Sequence, residues 1–274
     1  STGQDPPSVA SINYWLNDDK DVELVITNNN NDTVKIISDK GKKGINRVWW
    51  NFMGEKSNPM IMQTKPLYAE WFPMGEDRKR NIPSSISIMH PPGTYKVNIN
   101  SDGNLLTKDL VVMKDPHSEG NIEDINLQND LMKKIYKDLN TTAIYVNSIE
   151  SLRRQLIDLK FLLTGNAEDD DLINDVGDLH SKFLELEKKL IQLKITGKGQ
   201  DAVRYPKMIG EKLAYLAENV QISDFRPADS YYEVYELLHE RLEGIGTEYD
   251  KLVDEDLEEL ILKMNNQGIN RLVL

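Results

Sequence analysis

The chain has 274 residues, 39% hydrophobic and 28% charged, with a formal net charge of −12. That balance fits a globular protein long enough for two ordinary domains, and not a disordered or fibrous one. The acidic excess opposes phosphate backbones, so no nucleic-acid partner is expected. No apolar run approaches the roughly 18–20 residues of a membrane span, and the lack of cysteine excludes disulfides and thiolate sites.

Residues 1–7, STGQDPP, carry no charged-then-apolar leader pattern and read as a disordered or appended start. Residues 8–115 read as β structure. Strand-like runs rich in Val, Ile, Tyr and Trp occupy 9–16, 22–27, 33–38, 45–52, 84–89, 94–100 and 105–113. Turn-forming clusters separate them, and Ser101-Asp102-Gly103-Asn104 is a hairpin signal. Apolar residues alternate with polar ones in VELVIT and TYKVNIN, which suggests a small antiparallel sandwich.

The run GINRVWWNF, residues 44–52, holds adjacent tryptophans. Strand alternation puts Ile45, Arg47, Trp49 and Asn51 on one face and Asn46, Val48, Trp50 and Phe52 on the other. The Val48/Trp50/Phe52 face is the core candidate, and Trp49 points away from it. Residues 53–83 read as a long irregular loop, with Met60, Met62, Leu67, Tyr68, Trp71 and Phe72 available to cover a sheet face or the helical half.

After Lys114 the apolar period changes from two to alternating steps of three and four. Helices are expected over about 122–163, 170–195, 206–220 and 228–264, making residues 116–264 an antiparallel helical bundle. In the last helix the stripe Tyr231, Tyr235, Leu238, Leu242, Ile245, Tyr249, Leu252 slips to Val253, Leu257, Leu260, Met264, which predicts a bend or a break in tight packing there. Residues 265–274 form a tail. Its GINRL echoes residues 44–48 and makes a candidate edge strand.

No constellation of chemistry stands out. The histidines 90, 117, 180 and 239 are dispersed, and none has the helical spacing of a zinc site. The acidic run 168–171 lacks the alternating ligands and central glycine of a calcium loop, and fits the capping of a helix start. No nucleophile elbow and no phosphate-binding glycine loop is present; Gly197-Lys198-Gly199 reads as a turn. No catalytic, cofactor-binding or metal residue is therefore assigned, and no cofactor is expected.

Six stretches in order carry a resemblance: GINRVWWNF, TKPLYAEWFPMG, PPGTYKVNINSDGNLLTKDLVVMKDP, SIESLRRQLIDLK, LKITGKGQDAVRYP and EKLAYLAENVQISDFRPADSYYEVYELLHERL. Together they resemble the C-terminal region of secreted bacterial sortilin-like or glycosyl-hydrolase-type β-propeller proteins with Asp-box repeats. The resemblance covers residues 8–264. It implies an α+β chain of two domains, an immunoglobulin-like or fibronectin-type-III-like sandwich followed by a helical bundle. It also implies an extracellular, periplasmic or cell-envelope location and the preceding propeller domains of the same parent as partners. No Asp-box lies in this chain, so the family's propeller chemistry has no residues here to carry it.

The expected function is a noncatalytic accessory or interaction module, supporting the propeller or binding an envelope protein. One alternative is a carbohydrate-binding module with Trp49, Tyr68 and Trp71 as a stacking platform for glycan. A second is a hydrolase using paired acids, for which the motifs are missing.

Overall fold

The computed structural model describes residues 9–67, 80–82, 85–101, 103–164, 170–194 and 201–269. In chain order the strands are β1 (Ala10–Leu16), β2 (Lys20–Thr27), β3 (Thr33–Gly41), β4 (Gly44–Trp50), β5 (Met53–Lys56), β6 (Met60–Met62), β7 (Arg80–Ile82), β8 (Ser87–Met89), β9 (Gly93–Ser101) and β10 (Asn104–Val112). The helices are α1 (Ile122–Leu163), α2 (Asp170–Leu190), α3 (Asp201–Arg204), α4 (Ile209–Val220), α5 (Asp229–Lys251), a π-helical segment (Leu252–Leu257) and α6 (Glu258–Asn266). The protein is thus α+β, with antiparallel sheets. No helix among the described residues is long and apolar enough to cross a membrane.

Two compact units are present, and neither is one continuous stretch. The first comprises Ser1–Lys56, Ser87–Lys133 and Val220–Pro227; the second comprises Ser57–Ile86, Lys134–Asn219 and Ala228–Leu274.

In the first unit, β1 and β4 form a two-stranded sheet, and β10-β9-β2-β3 form a four-stranded one. Period-two alternation sends Ile12, Tyr14 and Leu16 of β1, Val22, Leu24 and Ile26 of β2, Val48 and Trp50 of β4, and Tyr95 and Val97 of β9 into one apolar cluster. Trp50 sits centrally. Its ring centroid lies 5.2 Å from that of Tyr95, edge to face, and its Nε1 donates to the Met53 carbonyl at 3.0 Å. The β9–β10 hairpin pairs Ser101 with Asn104, and Gly103 takes the left-handed φ of +81° that the tight turn requires.

Strand β4 ends at Trp50, two residues before the expected end. Phe52 adopts φ +63° and turns the chain toward β5, while its ring still packs 5.5 Å from Trp50. The stretch 53–83, expected to be irregular, contains β5, β6 and β7, with β5 pairing β8 and β6 pairing β7. At three or four residues each, they give no alternation long enough to read.

Asn121 caps α1, its Oδ1 accepting from the Asp124 amide at 2.8 Å. Just before it, Gly120 passes so close to the 220–227 segment that an added Cβ would lie 2.1 Å from the Asp224 carbonyl oxygen. Gly120→Ala is therefore expected to lower unfolding free energy by about 1–3 kcal/mol, as overpacking does; chemical denaturation followed by tryptophan fluorescence measures it. Leu127, which its spacing puts on the apolar stripe, is exposed. Gln128 turns inward instead, donating to the carbonyls of Val220, at 2.8 Å, and Ser223.

In the second unit, α2 buries Leu172, Val176, Leu179, Phe183, Leu186 and Leu190, and packs on α5, the π segment and α6. Helix α2 ends at Leu190, not near 195, and the short α3 precedes α4, which starts at Ile209 instead of 206. The slip in the last stripe coincides with the π turn. Tyr235, Leu238, Leu242 and Ile245 are buried before it, and Leu257, Leu260 and Met264 after it. A π turn accommodates about one additional residue, which rotates the following helix so that the displaced stripe meets the same seam. The helix continues through the slip.

The tail begins later than expected, because Asn265 and Asn266 belong to α6. Gly268, at φ +74°, and Ile269 then close that helix, with Gly268 N donating to the Asn265 carbonyl and Ile269 N to the Met264 carbonyl. Residues 270–274 of the candidate edge strand lie outside the described residues.

Candidate functional site

The antiparallel register of β1 and β4 sets Trp15 opposite Ile45, Asn13 opposite Arg47, and Ser11 opposite Trp49. These residues alternate with the buried Ile12, Tyr14, Leu16, Val48 and Trp50, so all of them stand on the outward face. Trp15 is 62% exposed, Ile45 83% and Trp49 47%, large values for side chains of this size.

The middle of the face is polar and held in place. Arg47 Nε donates to Asn13 Oδ1 at 2.8 Å, and the guanidinium carbon lies 5.4 Å from the Trp49 ring centroid. No acid among the described residues forms an ion pair with Arg47. Trp15 lies four positions along β1 from Ser11, the partner of Trp49, so the backbone positions of the two tryptophans are about 13 Å apart along the sheet.

Of the expected stacking residues, Trp49 is on this face, whereas Tyr68 and Trp71 lie outside the described residues. Trp15 was not expected to take part. The signal was available, since ASINYWL alternates apolar and polar groups up to Tyr14 and thereby sets Trp15 outward.

A second concentration of polar groups lies in the helical unit, half-buried at Asn140 and Asn147 and fully buried at Glu150. Asn140, Asn147 and Glu150 lie at spacings of seven and three, on one side of α1. They receive the amides of an extended segment: Asn58 N on Asn140 Oδ1 at 2.8 Å, Ile61 N on Asn147 Oδ1 at 2.7 Å, and Thr64 N on Glu150 Oε2 at 2.6 Å. Glu150 also accepts from the Gln63 amide, from Thr64 Oγ1 at 2.7 Å and from Arg153 at 2.8 Å. Arg153 reaches Glu187 as well, so one guanidinium faces two carboxylates, all three residues nearly or wholly buried.

Burial, reinforced by the charge of Glu150, pushes the Glu187 carboxyl well above the usual carboxylate range against the pull of Arg153. Nearby His180 is driven down to about 4 by burial, then by Arg153 and Lys160. Every Glu150 oxygen is committed to holding the 58–64 segment or Arg153, so the cluster fastens structure. Its sequence signal was faint: Glu150, Arg153 and Glu187 each flank an apolar seam position, where charged residues ordinarily stay solvated.

His239 pairs with Asp138 at 2.8 Å, and Asp170 and Asp171 lie in the first turn of α2, where their charge opposes the helix dipole. A groove of about 540 Å³ between α2 and the α5–π junction is spanned by Lys189–Glu248 and Lys182–Asp256 pairs, which balance its charge. No group of three or more His, Asp or Glu among the described residues is arranged to hold a metal ion.

Compared with known proteins, the chain matches no family model, no curated protein and no solved structure.

Proposed function

We propose that the chain is a noncatalytic interaction module that works by contact through the outward β1–β4 face. One observation carries this reading. Trp15, Ile45, Arg47 and Trp49 stand exposed together, while neighbouring residues of the same strands fill the interior. Tryptophan and arginine are the residues from which binding surfaces draw most energy. The buried Glu150 of the helical unit, by contrast, is committed through both oxygens to the 58–64 segment and Arg153.

The finer fold reading is an immunoglobulin-like or fibronectin-type-III-like sandwich joined to an antiparallel helical bundle. Strand order supports the first part: β2-β9-β10 follows the C-F-G order of such domains, and β1-β4 their B-E pair. Tyr95, near the start of β9, donates to the Pro91 carbonyl at 2.5 Å, as the corner tyrosine of these domains does. The matched apolar faces of α2 and α5 support the second part. The resemblance to C-terminal regions of secreted β-propeller proteins supports a location at a cell envelope or outside the cell, where the module accompanies a propeller in its parent.

Co-sedimentation with purified bacterial cell-envelope material tests the reading. The chain is expected to pellet with the envelope, and a Trp15→Ala/Ile45→Ser/Trp49→Ala variant to remain in the supernatant with its circular dichroism unchanged. Equal pelleting of the two, or no pelleting of either, would overturn it.

A further inference from the structure

We propose that the β1–β4 face binds an uncharged, extended glycan chain, with Trp15 and Trp49 each stacking on a sugar ring and Arg47 and Asn13 bonding the hydroxyls between them. The inference rests on the interaction-module reading and names its ligand.

The arrangement of the face selects this chemistry over a protein surface. Protein hot spots put their aromatic and apolar anchors at the centre, within a polar rim that keeps water out. Here the order is reversed. The tryptophans lie at opposite ends, their backbone positions about 13 Å apart along the sheet, and the middle is the Asn13–Arg47 pair. A protein partner laid across it would leave the guanidinium desolvated at the centre without a designated counter-charge. A pyranose chain alternates in the same way as the face. Its C–H faces are apolar and suit an indole, and its edges carry hydroxyls that both donate and accept hydrogen bonds.

The polar centre is already fixed for that task. Arg47 spends Nε on Asn13 and lies against Trp49, so its terminal nitrogens are aimed with little further loss of side-chain freedom. Asn13 retains an amide donor. Ile45, directly across from Trp15, widens the apolar platform at that end.

Charge narrows the ligand further. The chain as a whole carries −12, which disfavours a polyanionic glycan at long range; at the Trp15 end Asp19 is paired with Lys42 at 3.0 Å and adds no net charge. The sheet is an open surface two strands wide, which suits a flat, ribbon-like chain with equatorial linkages better than a coiled one.

Titration of the intact chain with cellohexaose, xylohexaose, chitohexaose and mannohexaose, with maltohexaose as the coiled comparison, tests the proposal by calorimetry and intrinsic tryptophan fluorescence. At least one of the β-linked chains is expected to bind with a change in indole emission, and more tightly than maltohexaose. Trp15→Ala and Trp49→Ala should each weaken that binding about tenfold or more. Arg47→Ala should weaken it too, while Leu105→Ala, an exposed position on β10, should leave it unchanged. Failure of all four β-linked chains to bind, or binding indifferent to both tryptophan variants, would overturn the proposal. If envelope pelleting still depended on the tryptophans in that case, the interaction-module reading would stand and the glycan assignment alone would fall.

Discussion

Trp50→Ala is expected to destabilise the strand unit by about 3–5 kcal/mol, the range for removing a large aromatic from a packed core. Trp50 is 1% exposed, and its ring meets Tyr95, Phe52 and His90. Truncation removes all three contacts at once and leaves the Met53 carbonyl without the indole N–H that satisfies it. Nothing adjacent can slide in, because Val48 and Ile12 are fixed by the β1–β4 register and Tyr95 by its bond to Pro91. The adjacent Trp49→Ala, on the outward face, should change stability by no more than about 0.5 kcal/mol, as surface substitutions do. Urea denaturation of the two variants side by side checks the contrast. Comparable losses would mean that the alternation along β4 does not decide which indole builds the core.

That contrast shows which features the sequence made legible. Where a single period ran long, the type of element follows it, though not every end or every stripe position. The alternation in β2 and β9 corresponds to paired strands, and the three-four spacing over 122–163 to α1. The displaced stripe near 253 was visible too, but its physical outcome was not. A shift of register can bend a helix, end it or be absorbed, and here a π turn absorbs it.

Two kinds of feature escaped. Strands β5, β6 and β7 are only three or four residues long, below the length at which alternation can be counted, and β6 is fixed by tertiary partners such as Asn147. The buried charges escaped because burial of Glu150, Arg153 and Glu187 depends on one another and on a segment some 86 residues away in sequence. For the candidate site, half was legible: Trp49 could be assigned outward from its own strand. The company it keeps, Trp15 and Asn13, follows only from the register between β1 and β4.

The buried cluster also gives the second large effect. Arg153→Met is expected to destabilise the helical unit by about 3–5 kcal/mol at neutral pH, because it leaves Glu150 buried without a counter-charge. Glu187→Gln should act in the opposite sense at neutral and alkaline pH, and the sign follows from linkage. The Glu187 carboxyl in the folded chain is raised by burial and by Glu150 above its unfolded value of about 4.3, so folding favours its protonated form. Its favourable contribution is complete below the unfolded value and is lost as pH climbs through the folded one. His180 works at the other end. Burial first, then Arg153 and Lys160, hold it near 4, so stability falls as pH drops from about 6.5, where the unfolded imidazole begins to take a proton the folded one refuses. Far-UV circular dichroism denaturation should therefore show the helical unit losing stability as pH rises above about 6.5, while between about 4.3 and 6.5 the two opposed slopes offset each other. Glu187→Gln should flatten the alkaline limb and uncover a fall toward acid, and His180→Leu should extend the alkaline limb down toward about 4.3. If Glu187→Gln left the alkaline limb unchanged, the proton assigned to Glu187 would have to reside elsewhere. If Arg153→Met cost less than about 1 kcal/mol, water must reach Glu150, and the cluster would not be the dry fastening of the 58–64 segment to α1 that its hydrogen bonds describe.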